Sequence, residues 1–176
     1  MSDDKPAASR SHAFWEFSLR LYASPAVQAA CLELQDDCGV DVNVLLFMLY
    51  LASTGRRITA DEARGVLAGV EPWRAQVVVP LRTARRNLKT PVPGFDATAA
   101  ETLRSIVKKA ELEAERQQQA ALHARSLDTD LGSPAPRQTA AVANIAVYGA
   151  ALGRQLATGP VGVMLAAFEA SPVQAG

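Results

Sequence analysis

The chain has 176 residues and a mass of 18.7 kDa, 49% apolar and 20% charged, the composition of an ordinary globular protein with one good core. Eighteen basic side chains balance eighteen acidic ones, so no overall field draws the chain to nucleic acid or to an anionic membrane. The balance conceals two opposed segments. Residues 1–41 carry three basic and seven acidic groups, and residues 56–90 carry eight basic and three acidic ones.

The opening MSDDKPAASR is polar and acidic where an export signal needs a basic and then an apolar segment, so residues 1–10 read as a disordered N-terminus and the protein as cytoplasmic. Ser11 is placed to cap a first helix to about Tyr22, with Phe14, Phe17 and Leu21 on one face and a Glu16–Arg20 pair outside. Ser24 followed by Pro25 opens a second helix with the stripe Val27, Cys31, Leu34 and Cys38, closed by Gly39. Cys31 and Cys38 stack ~10 Å apart on that helix, beyond disulfide reach, and with His12 and His123 they give no zinc spacing. Both read as reduced thiols.

Asp41 caps a third helix, apolar nearly all round from Val44 to Ala52, half the ~20 residues a membrane span needs. Thr59 and Glu62 form a capping box for a fourth. From Trp73 the positions Val77, Leu81, Ala84 and Leu88 fit a helix kinked or restarted at Pro80; the β-prone Val77–Val79 run has no partner strand in view. TPVPGF at 90–95 reads as a linker. Thr98 and Glu101 make a second capping box, opening a long helix whose later part offers mainly alanine to a core. A loop at 128–138 precedes a last helix from about Thr139 to Leu156. Residues 159–176 read as a poorly ordered tail.

The expected fold is therefore all-α: a single-domain helical bundle of six or seven helices with one long helix, spanning 11–158, its groups 11–90 and 96–156 joined by the proline-rich linker. The sharpest cluster in it is Arg82, Arg85, Arg86 and Lys89, at i, i+3, i+4, i+7, one face of a helix suited to an acidic protein surface, a phosphate or an RNA backbone. A solvated helix face explains the same pattern. Asp36 and Asp37 sit at a helix C-terminus, where negative charge is disfavoured, and the 82–89 face is their candidate internal counterpart. The DDCGVD run is a poor magnesium motif, because Gly39 breaks the helix and Asp41 serves as the next cap. Asn43 and Asn144 lie in apolar helices and must find hydrogen-bond partners. Trp15, Trp73 and Tyr50 read as core or interface aromatics. No nucleophile elbow, phosphate loop, haem or flavin motif is present, so no catalytic residue, metal or cofactor is assigned.

Three runs, FWEFSLRLYASPAVQAACLELQDDCGVDVNVLLFMLYLASTGRRI, EPWRAQVVVPLRTARRNLK and TLRSIVKKAELEAERQ, resemble a family of small bacterial proteins labelled domain of unknown function 2390. The resemblance spans Phe14 to Arg154 and rests most on GVDVN and the WR…PLR..RR.LK segment. It implies an all-helical bacterial protein and carries over no catalytic residue. The leading expectation is a non-enzymatic protein-interaction or adaptor protein using the basic face. Two alternatives are a ligand-binding or enzymatic protein with a pocket near Asp41, Asn43 and Arg74, and an RNA-associated protein. The partner expected is another protein, with nucleic acid the weaker candidate, no membrane, and a homo-oligomer compatible with the alanine-rich long helix.

Overall fold

In a computed structural model, described over residues 8–128 and 131–172, the chain is all-α apart from one two-residue ladder. The order is α1 (Ala8–Tyr22), α2 (Pro25–Cys38), α3 (Val42–Ser53), β1 (Arg56–Arg57), α4 (Ala60–Trp73), a π-helical turn (Arg74–Val78), α5 (Val79–Asn87), α6 (Ala97–Asp128), β2 (Ser133–Pro134), α7 (Arg137–Ala151) and α8 (Thr158–Ala170). With α4, the π turn and α5 counted as one rod, the described residues hold seven helices. None is long and apolar enough to cross a membrane. Residues 1–7 of the expected disordered N-terminus lie outside the described residues, and Ser11 sits inside α1 rather than at its cap.

The chain divides into two compact units, residues 1–67 with 119–176, and residues 68–118. In the first unit α3 is the core helix, with every residue from Asn43 to Ser53 buried. Asp41 caps it, accepting from the amides of Asn43 (2.9 Å) and Val44 (3.4 Å). Phe14 and Phe17 of α1 meet Phe47 and Tyr50 of α3 with ring centroids 5.1–5.7 Å apart. Complete burial of Phe14 and Phe47 contributes about 1.5–3 kcal/mol each. α3 packs most extensively on α7, and α2 on α8. The segment 159–176, expected as a poorly ordered tail, is instead covered by a helix over Thr158–Ala170, with Pro160, Met164 and Phe168 buried; its residues 173–176 lie outside the described residues. Cys31 lies 3.6 Å from the Met164 sulfur, and burial pushes its thiol up to about 12. Both cysteines are free.

Gly39 ends α2 at φ 67°, and Thr59 and Glu62 form the reciprocal capping box of α4, with Glu62 Oε2 2.7 Å from the Thr59 amide. The β1–β2 ladder pairs Arg56 with Pro134 and Arg57 with Ser133, antiparallel. Two residues are too few for any periodic pattern to announce. Gly132 secures the crossing: at φ 82°, a Cβ there would stand 2.7 Å from the Arg57 carbonyl oxygen.

The second unit is a helical hairpin. Proline at 80 offers no amide to the Gln76 carbonyl and its ring crowds that oxygen, so the preceding turn widens, and the Val79 amide reaches back five residues to the Arg74 carbonyl. The helix restarts there as the sequence indicates, and the Val77–Val79 run stays helical. Residues 90–95 do not join two separate groups; they lie within this unit as its turn, with the Phe95 amide 3.1 Å from the Val92 carbonyl and Gly94 at φ 84°. Asp96, not Thr98, caps α6, its carboxylate 2.7 Å from the Ala99 amide. Glu101 is committed instead to Arg104.

Candidate functional site

The basic face of α5 is divided between two uses. Arg82 donates through Nε to Glu111 (3.1 Å) and through Nη2 to Glu115 (2.7 Å), and Arg85 forms a bidentate pair with Glu111. The carboxylates that answer these two arginines therefore belong to α6. Glu111 is only 8% exposed at its side chain, and burial alone would raise its pKa; the hydrogen bonds from Arg85 and Arg82 outweigh that and hold it below the usual carboxylate range. Arg86 and Lys89 stand at the surface on the last turn and just beyond it.

Next to them the hairpin turn leaves apolar surface open. Leu88, Val92, Phe95, Asp96, Ala99, Ala100 and Leu103 line a hollow of about 300 Å³. Phe95 is 76% exposed, and Leu103 and Ile106 are about half exposed or more. Ala99, Leu103 and Ile106 follow at i, i+4, i+7, so the apolar strip continues along one face of α6, with the exposed Lys109 one turn beyond Ile106. Leaving one phenylalanine in water forgoes about 1.5–3 kcal/mol of burial, and clustered apolar exposure of this kind marks binding surfaces. A hollow with one carboxylate, itself engaged as a helix cap, offers contact area rather than acid–base chemistry.

The residues expected near a pocket have structural duties. The Asp41 amide donates to the Tyr148 hydroxyl (2.8 Å), which in turn donates to the Asp41 carbonyl (3.1 Å). Asn43 accepts from Gln119 (2.9 Å), and Gln119 accepts from Ser18 (2.9 Å), a buried polar relay joining α3, α6 and α1. Asn144 is fully buried and ties α7 to Ile58, Met48 and Arg56. Arg74, in the second unit, pairs with Glu71 at 3.4 Å. Trp73 donates to the Ala114 carbonyl at 3.0 Å. His123, to which the sequence assigned no role, is 3% exposed and forms a T-shaped pair with the Tyr50 ring, and neither of its ring nitrogens has a hydrogen-bond partner among the described residues. Among the described residues no cluster of three or more His, Cys, Asp or Glu is placed to hold a metal.

Sequence reasoning passed over Phe95, Val92 and Leu103. The available signal was an aromatic residue set in a proline–glycine turn, where a solvated linker has no use for it. A family profile described as Protein of unknown function (DUF2390) matches residues 13–122. That span starts where the sequence resemblance does and ends before α7. No curated protein and no solved structure shows significant similarity to the chain.

Proposed function

The chain belongs to the DUF2390 family of proteins of unknown function, and since that family carries no activity over, we propose from the chain's own surface that it is a non-enzymatic protein-interaction domain. Its docking surface is the turn end of the hairpin formed by α5 and α6. The observation that carries this reading is the exposed cluster Val92, Phe95 and Leu103, with the half-buried Leu88, around a hollow of about 300 Å³. The partner presents an acidic amphipathic segment. Residues 68–118 carry nine basic and six acidic side chains, a net charge of +3, and Arg86, Lys89 and Lys109 are exposed around the apolar strip. Such a surface repels a second copy of itself and attracts an apolar segment flanked by carboxylates. The basic face proposed from sequence thus acts through Arg86 and Lys89, while Arg82 and Arg85 brace the hairpin. A cytoplasmic location belongs to the same reading, supported by two free cysteines.

Fluorescence anisotropy with a labelled amphipathic peptide, leucines on one face and glutamates on the other, tests it. The acidic peptide is expected to bind in a salt-dependent way, at least about tenfold tighter than its lysine counterpart. Phe95→Glu removes the binding. Equal affinity for both peptides, or binding indifferent to Phe95→Glu, overturns the proposal.

A further inference from the structure

A second concave surface lies in the first unit and is independent of the docking reading. α7 and α8 border an open groove of about 610 Å³, within the range of small-molecule sites. Its floor is Val142, Ala146 and Ala150, at i, i+4, i+8 on α7, and its wall includes Val161 and Leu165, at i, i+4 on α8. At 1.5 Å per residue the floor runs ~12 Å, the reach of a medium-length acyl chain.

Arg154 and Gln155, in the short return between the two helices, and Thr158, the first residue of α8, line the same groove. That return is firmly set. The Arg154 amide donates to the Gly149 carbonyl at 3.0 Å, and a Cβ on Gly149 would stand 3.1 Å from both the Arg154 carbonyl oxygen and the Leu156 side chain. Among the described residues Arg154 is the one ionisable group in the lining; it is exposed, and no described carboxylate lines the groove beside it.

We propose that this groove binds a single-chain anionic amphiphile, its acyl chain along Val142, Ala146 and Ala150 and its acid group paired with Arg154. A guanidinium with a neighbouring amide and hydroxyl is donor-rich, which fits a carboxylate headgroup. The apolar run has no polar partner of its own for the backbone or side chains of a peptide, so a one-headed molecule fits better than a protein segment. Beyond Val142 and Ala146 the floor continues into a hollow of about 470 Å³ toward Arg57 and Thr139, leaving room for a longer chain.

Calorimetric titration of the full chain with dodecanoate, dodecanol and dodecyltrimethylammonium, each below its micelle-forming concentration, tests the assignment. Dodecanoate is expected to saturate one site, about tenfold tighter than dodecanol, with the cationic amphiphile weaker still. Arg154→Ala brings dodecanoate down to the dodecanol level and leaves dodecanol unchanged. Ala146→Phe, on an exposed position of α7, removes both. Failure of dodecanoate to saturate overturns the proposal, as does equal binding of the cationic amphiphile. So does binding indifferent to either substitution, or association with anionic vesicles in place of monomeric dodecanoate. None of these outcomes bears on Phe95 or the acidic peptide.

Discussion

Replacing Asn144 with leucine probes the hydrogen bonds that join α7 to α3 and β1. Asn144 is fully buried; its Oδ1 accepts from the Ile58 amide (2.9 Å), and its Nδ2 donates to the carbonyls of Met48 (3.1 Å) and Arg56 (3.0 Å). Leucine keeps the branched shape but its methyls are bulkier than the carboxamide, so some overpacking in this fully buried site adds to a loss that is mainly polar. The Ile58 N–H loses its acceptor inside the core, which costs about 1–3 kcal/mol. The carbonyls suffer less, because each oxygen has two lone pairs and Met48 lies within α3, where its carbonyl keeps a helical donor. The expected destabilisation is about 2–4 kcal/mol, a large share of a typical total of about 5–15 kcal/mol. Urea unfolding reads the total, and hydrogen exchange at the Ile58 amide reads the local term. The Asn144→Asp variant keeps an acceptor for Ile58 but sets a carboxylate oxygen against two carbonyls, so it is predicted to be less stable at neutral pH than at acid pH relative to the wild type. A leucine variant within about 0.5 kcal/mol of wild type, with Ile58 exchange unchanged, refutes the reasoning.

Burial holds His123 below its ordinary pKa, so on acidification the unfolded chain takes up a proton before the folded one does. Stability tied to His123 is complete above about pH 6.5 and declines below it; His123→Leu is predicted to flatten that decline in pH-dependent thermal unfolding, and an unchanged slope contradicts it. Glu111→Gln leaves Arg82 and Arg85 side by side without their shared carboxylate. It should cost about 2 kcal/mol, reduced from the fully buried case because both arginines are about a fifth exposed, with Glu111→Ala no better. Glu111 is also held below the usual carboxylate range, so its contribution is present at neutral pH and is lost as the pH falls below about 4. Arg137 stacks 4.2 Å from the Phe168 ring and donates to the carbonyls of Phe168 (2.7 Å) and Ser171 (2.9 Å). Arg137→Ala should therefore loosen the end of α8 and speed proteolysis within Thr158–Ala170; an unchanged cleavage rate counts against this anchoring role.

What the sequence disclosed follows from the range of the interactions involved. Gly39, Asp41, Pro25 and the Thr59–Glu62 box act within one turn of a helix, and each does what its neighbours imply. Pro80 is equally local, and the widened turn before it is the kink that proline demands. The cap of α6 went astray because Asp96 and Thr98 are both good caps two residues apart, and only the packed loop selects between them. α8 was invisible for another reason: glycine, proline and β-branched valine give TGPVGVMLAAF weak helix propensity, and its order comes from burying Met164 and Phe168. Arg82, Arg85 and Arg86 lie on α5, but Glu111 and Glu115 lie some thirty residues away, and no local pattern joins them to Arg82 and Arg85. Phe95 was hidden inside a turn motif whose proline and glycine drew attention to the backbone alone.

The central claim is that the turn end of the hairpin is a docking surface for an acidic amphipathic segment. It is tested most directly by titrating the acidic peptide into isotope-labelled protein and following methyl and aromatic resonances. The account predicts saturable shifts concentrated at Leu88, Val92, Phe95 and Leu103, absent in Phe95→Glu. Shifts confined to other surfaces, or no saturable shift at all, contradict it.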